Sequence, residues 1–205
     1  MVAIVSVLLG FLSLGALLAA GWSPLPIRAG YMGGALLVGA ALWARTHWKA
    51  RAATGDDPGA AERRAWLYMA GTALICGFVS TVLMTPGSEV HRHSGDTGGH
   101  DSWIMFGGGI IAWWLLHERH APVDERDKAI DALAHRVGYI ALVVLLLLFL
   151  LALGFAPKPA MARFTHWLIA NTLLNLIMFA TLAQYVAQLF FYWRDARNLK
   201  TGAAP

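Results

Sequence analysis

The chain has 205 residues, of which 58% are hydrophobic and only 14% are charged, and its mean hydropathy is +0.55. Soluble globular domains carry about 25% charged residues, so this composition argues against an ordinary soluble protein. The net charge of +4 comes from basic residues at the ends of apolar segments, which is typical of membrane insertion and not of nucleic-acid binding.

Six strongly apolar segments follow one another along the chain, separated by short polar loops. A helix needs about 20 mainly apolar residues to cross a bilayer, and most of the segments are long enough. Because alternating strand patterns are absent, we expect an all-α polytopic bundle of six transmembrane helices, forming one domain over residues 1–205. The predicted spans are Met1–Trp22, Ile27–Ala44, Trp66–Met84, Trp103–Leu116, Val137–Phe155 and Trp167–Trp193.

Basic residues in the loops predict the orientation of these spans. The second loop, the fourth loop and the tail are rich in Lys and Arg, whereas the other loops hold only Arg28, Arg92, Lys158 and Arg163. Since basic loops stay in the cytoplasm, we expect both termini there, in a bacterial inner membrane. The first segment has no positively charged start, so we expect a retained helix and not a cleaved signal peptide.

Glycine spacing is informative in two of the spans. Gly30 and Gly34 are four residues apart, which predicts close packing of the second helix against a neighbour. The fourth segment is short and contains Gly107, Gly108 and Gly109, each of which costs about 1 kcal/mol relative to alanine in a helix. Two interpretations stay open for it: a broken helix at a transport site, or close helix packing.

The third loop, residues 85–101, concentrates histidines and carboxylates among glycines. Imidazole nitrogens suit zinc, copper and nickel, and a glycine-rich loop can wrap an ion. A divalent metal within residues 89–101 is therefore one interpretation, and a hydrophilic loop that keeps the hairpin out of the bilayer is the other. The candidate ligands are His91, His93, Asp96, His100 and Asp101.

The fourth loop ends in a charged helix start, Asp124-Glu125-Arg126-Asp127. Asp124 suits an N-cap, because acidic residues follow in the first turn. We expect an amphipathic helix on the cytoplasmic surface that runs into the fifth span. Its charges either cap and salt-bridge the bundle or, as clustered carboxylates, perform acid–base chemistry or bind magnesium. We treat these four residues as a candidate interaction motif.

Two resemblances follow from local motifs. Asp124-Glu125-Arg126-Asp127, with Ile130 and an apolar span after it, resembles a family of small uncharacterised bacterial membrane proteins, a domain of unknown function with a cytoplasmic Asp-Glu-Arg motif. This resemblance covers the chain from the third span onward and implies a topology but no activity. The stretch from Arg163 to Ala170 is similar to a helix entry of bacterial di-haem b-type cytochromes, which implies His166 as a haem ligand.

Haem binding conflicts with the predicted positions of the other histidines. His117, His120 and His135 are expected at the cytoplasmic boundary, whereas His166 is expected at the outer one. A transmembrane helix spans about 30 Å, so one haem cannot bridge the two boundaries. An interfacial His-Trp pair is the simpler interpretation of His166.

The last span carries two pairs of amides at helical spacing. Buried amides usually hydrogen-bond between helices, although they can also line a polar path. No carboxylate lies well inside a span, which argues against a proton- or sodium-driven transporter. The amides are Asn171, Asn175, Gln184 and Gln188.

Taken together, these patterns favour a non-enzymatic accessory, sensory or regulatory membrane subunit. Its partners would be the bilayer and either another membrane protein or a second copy of the chain. A transporter of a small or apolar solute is the first alternative, based on the glycines of the fourth span and the amides of the last. A haem- or metal-binding redox protein is the second.

Overall fold

The all-α fold is confirmed in a computed structural model, which describes residues 1–22, 26–52, 59–91, 100–117 and 124–201. Within these ranges every α-helix follows an apolar or amphipathic stretch of the sequence, and a single 3-10 turn lies at Glu89–His91. The α-helices are α1 (Val2–Ala19), α2 (Ala29–Ala52), α3 (Ala60–Met84), α4 (His100–Leu116), α5 (Glu125–Phe155), α6 (Lys158–Met161) and α7 (His166–Thr201).

Four helices in the described part of the chain are long and apolar enough to cross a membrane: α1, α3, α5 and residues 166–198 of α7. This number indicates a multi-pass membrane protein that contacts the lipid bilayer. The second and fourth predicted spans correspond to α2 and α4. At 17 residues, α4 is about 25 Å long, slightly shorter than the hydrocarbon layer of about 30 Å.

Helix α3 forms the centre of the bundle, with α1, α4 and α7 packed against it. Of its most apolar stretch, 56% is buried inside the protein, against 6% for α5, which packs mainly on α7. Met69, Ala73, Cys76 and Val79 on α3 are completely buried. Cys76 is therefore a packing residue of the core.

Contacts between α5 and α7 show that these helices are antiparallel, because Arg126 meets Asp195 while His135 meets Gln184. Helices α3 and α7 are also antiparallel. We call the end of the bundle that holds residues 125–131 of α5 and 192–198 of α7 the motif end. The opposite end, which holds the turn at Glu89–His91 and the start of α7, is the loop end.

Helices α2 and α4 run parallel and touch through glycines. Gly30 lies against Asp101 and Gly34 lies against Gly108, so the contacts advance in the same direction along both helices. A Cβ atom at Gly108 would stand only 2.5 Å from the Gly34 Cα atom, which explains why position 108 lacks a side chain. At the start of the pair, Arg28 Nε lies 3.0 Å from Asp101 Oδ1 in a salt bridge.

The helix boundaries differ from the predicted spans at several ends. Helix α4 continues unbroken through Gly107, Gly108 and Gly109, so the broken-helix interpretation is wrong and close packing accounts for Gly108. As predicted, the amphipathic segment runs into the fifth span; the two form one helix, α5, which starts at Glu125 after the N-cap Asp124. Hydropathy marks the part of a helix that suits lipid, whereas backbone hydrogen bonding continues beyond it.

Candidate functional site

The interaction motif lies at the start of α5, where it joins the end of α7. Arg126 Nε donates to Asp195 Oδ2 at 3.2 Å, and the Tyr192 hydroxyl donates to Asp127 Oδ1 at 2.9 Å. The Arg126 guanidinium also lies over the Tyr192 ring, 5.8 Å from its centroid, at a distance typical of cation–π contacts. These three contacts hold the two helices together beyond their apolar segments.

The remaining motif residues start the helix and face outward. Asp124 is the N-cap of α5, and its Oδ1 accepts a hydrogen bond from the Glu125 backbone N–H at 2.7 Å. Glu125 is exposed. Asp124 therefore caps α5, and Arg126 and Asp127 bridge it to α7. These contacts agree with the capping and salt-bridging interpretation of the motif.

A second polar layer lies about two helical turns further into the bundle. His135 Nδ1 is 2.9 Å from the backbone oxygen of Asp131 and 3.4 Å from its Oδ2, and His135 Nε2 is 3.3 Å from Gln184 Nε2. Gly138 allows this approach, since a Cβ there would stand 2.9 Å from the Gln184 Cβ. Gln184 thus connects two helices, in agreement with the interhelical interpretation of this amide.

The α5–α7 junction extends past the apolar part of both helices. Helix α5 has 31 residues and α7 has 36, which correspond to about 46 Å and about 54 Å. Both lengths exceed the hydrocarbon thickness of about 30 Å. The charged residues of the two helices gather at the motif end, so the excess length forms a paired, charged extension there. We call residues 125–136 of α5 and 194–198 of α7 the two-helix projection.

The candidate metal ligands at the loop end have separate contacts. His91 Nε2 lies 2.9 Å from the Leu83 carbonyl oxygen, His100 is exposed at the start of α4, and Asp101 pairs with Arg28. His93 and Asp96 lie outside the described residues. Over the ranges that the structure describes, no three His, Cys, Asp or Glu residues are grouped to hold a metal ion.

Thr165, which is not among the predicted site residues, holds the start of α7 in place through two hydrogen bonds. Thr165 is 1% exposed, donates from Oγ1 to the Val90 carbonyl at 2.5 Å and accepts from the Leu168 N–H at 3.0 Å. Threonine directly before a helix is a common N-cap, because its hydroxyl accepts a hydrogen bond from a backbone N–H of the first turn. The sequence could therefore have indicated this residue. The next residue, His166, is exposed with its ring 5.5 Å from the Trp167 ring. His135, one of the other histidines considered for haem, lies towards the opposite end of the bundle beside Gln184, so the two histidines are not brought together.

Two of the amides on α7, Asn171 and Asn175, are buried inside the bundle nearer the loop end. Asn175 Nδ2 donates to Ser80 Oγ on α3 at 3.0 Å, whereas Asn171 Nδ2 donates to the Trp167 carbonyl of its own helix at 2.9 Å. Gln188 is buried nearer the motif end. Asn175 is thus an interhelical contact, as the first of the two sequence interpretations expects.

A cavity of about 320 Å³ lies between α1, α2, α3, α4 and α7. Its walls are almost entirely apolar, and the four amides of α7 are not among its lining residues. The polar side chains that reach it are Tyr68, Thr72, Thr181 and Tyr185. Sequence patterns do not predict this cavity, because its walls come from five helices that are far apart in the chain.

Comparison of the chain with known protein families, curated proteins and solved structures finds no match. The resemblances at Asp124–Asp127 and at Arg163–Ala170 therefore stay predictions. The cavity and the α5–α7 junction are the two features of the described structure from which a function can be argued.

Proposed function

We propose that this protein is a non-enzymatic accessory, sensory or regulatory subunit of a bacterial inner-membrane assembly, with six spans and both termini in the cytoplasm. The observation that carries the proposal is the two-helix projection at the motif end. A helix that only anchors a protein in lipid has no need to extend beyond the bilayer, whereas a docking subunit needs a shaped surface outside it.

The projection is suited to docking because its two helices are fixed to each other. Arg126 with Asp195 and Asp127 with Tyr192 join α5 to α7 at successive positions. A surface that is already ordered loses less conformational entropy when a partner binds. The exposed charges of Glu125, Lys128 and Arg194 would give such a surface its selectivity.

The orientation is supported by the distribution of basic residues. The two-helix projection contains five basic residues: Arg126, Lys128 and Arg136 on α5, and Arg194 and Arg197 on α7. Basic residues close to the ends of spans stay in the cytoplasm. The proposed partner is therefore a cytoplasmic protein or the cytoplasmic face of a membrane protein.

Site-specific photo-crosslinking in cells tests the proposal. A photoreactive amino acid replaces Lys128, which is exposed on the projection, and the matched control replaces Arg163, which is exposed at the loop end. We expect ultraviolet light to give one discrete adduct with a second protein from position 128 and none from position 163.

Two outcomes would contradict the docking role. Adducts of the same partner from both positions would mean that the projection is not the surface that binds. An adduct of twice the mass of the chain from position 128 would identify a second copy of this protein, and a homo-oligomer would then replace the accessory subunit.

A further inference from the structure

We propose that the cavity between α1, α2, α3, α4 and α7 binds a small aromatic alcohol that enters from the bilayer. Its volume of about 320 Å³ is within the range of small-molecule pockets. Since a water molecule occupies about 30 Å³ in the liquid, the cavity has room for roughly ten non-hydrogen atoms. This site is separate from the two-helix projection and does not depend on its function.

Aromatic side chains from several helices line the cavity beside a larger number of aliphatic ones, and they favour a ring as its occupant. Rings contact one another in offset or edge-to-face arrangements that add to the gain from apolar burial. Helices α1, α3, α4 and α7 each contribute at least one ring. The lining rings are Phe11, Tyr68, Phe106, Trp113 and Tyr185.

A tyrosine pair provides the polar group that a single hydroxyl would need. The rings of Tyr68 and Tyr185 are 5.3 Å apart between centroids and tilted by 48°. Tyr185 lines the cavity, whereas Thr181 Oγ1, another lining hydroxyl on the same helix, already donates to the Ile177 carbonyl at 2.9 Å. A phenolic hydroxyl both donates and accepts, so Tyr185 can pair with a ligand hydroxyl in either sense.

The mouth of the cavity faces the apolar flank of the bundle. Leu36 on α2 and Ile110 and Trp113 on α4 line the cavity and are nevertheless 45%, 52% and 47% exposed. Large apolar side chains that are exposed along the spans of a membrane protein face lipid. A ligand that has partitioned into the bilayer can therefore reach the cavity without crossing a polar surface.

Binding of 1-naphthol and naphthalene to the full-length protein in lipid nanodiscs tests the proposal. Saturable binding is measured by equilibrium dialysis after subtraction of binding to empty nanodiscs. We expect Tyr185→Phe to weaken 1-naphthol binding about two- to tenfold, the effect of one hydrogen bond, and to leave naphthalene binding unchanged. Tyr139→Phe is the control, since Tyr139 is exposed on α5 away from the cavity.

Filling the cavity gives a second, independent readout. Ala40 lines the cavity at an exposed position of α2, so Ala40→Trp can place its ring in the mouth without a clash in the core. We expect this variant to lose binding of both ligands, while Ala35→Trp, exposed on the same helix but outside the lining, keeps it. The proposal is overturned if nanodiscs with and without protein bind alike, if Ala40→Trp binds normally, or if Tyr185→Phe affects both ligands equally.

Discussion

At the scale of single residues, the contacts of Tyr192 explain how an aromatic ring serves in a charged junction. The side chain is only 5% exposed, so its ring packs inside the bundle while its hydroxyl reaches the Asp127 carboxylate. Arg126 covers the same ring and pairs with Asp195. One tyrosine therefore takes part in two of the contacts that join α5 to α7, the hydrogen bond to Asp127 and the cation–π contact with Arg126.

Removal of the Tyr192 hydroxyl should measurably destabilise the protein. Hydrogen bonds to charged groups contribute about 1.5–3 kcal/mol, so we expect Tyr192→Phe to lower the free energy of unfolding by this amount. Reversible unfolding in mixed detergent micelles measures the change. Tyr139→Phe, at a position that is 69% exposed, is the matched control and should change stability by less than about 0.5 kcal/mol. Equal stabilities of the two variants would show that the hydrogen bond contributes nothing.

Local residue signals predict the ends of helices but not such pairs. The sequence predicts Asp124 as the N-cap of α5, because an N-cap interacts with the next few residues. It does not predict that Tyr192 meets Asp127, since the two residues are 65 positions apart in the chain. Only the antiparallel packing of α5 and α7 brings them together.

At the scale of helices, the pair formed by α2 and α4 depends on the absence of side chains. Small residues let helix backbones approach closely, and within lipid this close packing replaces the hydrophobic driving force that acts in water. Gly30, Gly34 and Gly108 provide the contact surface. Gly107, next in sequence to Gly108, has nothing within 4 Å of the position of a Cβ.

Alanine substitutions at the two neighbouring glycines should have opposite effects. In Gly108→Ala the new Cβ would lie 2.5 Å from the Gly34 backbone, so the helices must separate, and we expect a loss of about 1–3 kcal/mol. In Gly107→Ala the new Cβ would have no atom within 4 Å. The higher helix propensity of alanine should therefore leave stability unchanged or raise it by up to about 1 kcal/mol. Unfolding in detergent distinguishes them; a more stable Gly108→Ala would disprove the close α2–α4 contact.

At the scale of the whole molecule, most of the polar contacts between helices lie towards one or the other end of the bundle. The motif end holds the α5–α7 junction, and the loop end holds the Arg28–Asp101 salt bridge and the Thr165–Val90 hydrogen bond. The proposed topology assigns the motif end to the cytoplasm.

Labelling of single cysteines tests this orientation. Cys76, the one cysteine of the chain, is completely buried, so a cysteine introduced at the surface gives the signal. In spheroplasts we expect a membrane-impermeant maleimide to label Arg163→Cys, and to label Glu125→Cys only after lysis. The reverse pattern would place the motif end, with the end of α7, outside. Labelling of both variants before lysis would contradict a bundle whose two ends lie on opposite sides of the membrane.

The sequence by itself determined the helical class, the approximate position of the long apolar helices and the start of α5, because hydropathy and N-caps depend on residues close together in the chain. The tertiary structure alone decided that α2 lies parallel to α4, that α5 pairs with α7 through Tyr192, and that five helices leave a cavity at Tyr185. These features depend on the fit between surfaces distant in the sequence. In a chain with so many apolar residues, hydropathy indicates that a helix is buried in lipid or protein but does not identify its neighbour.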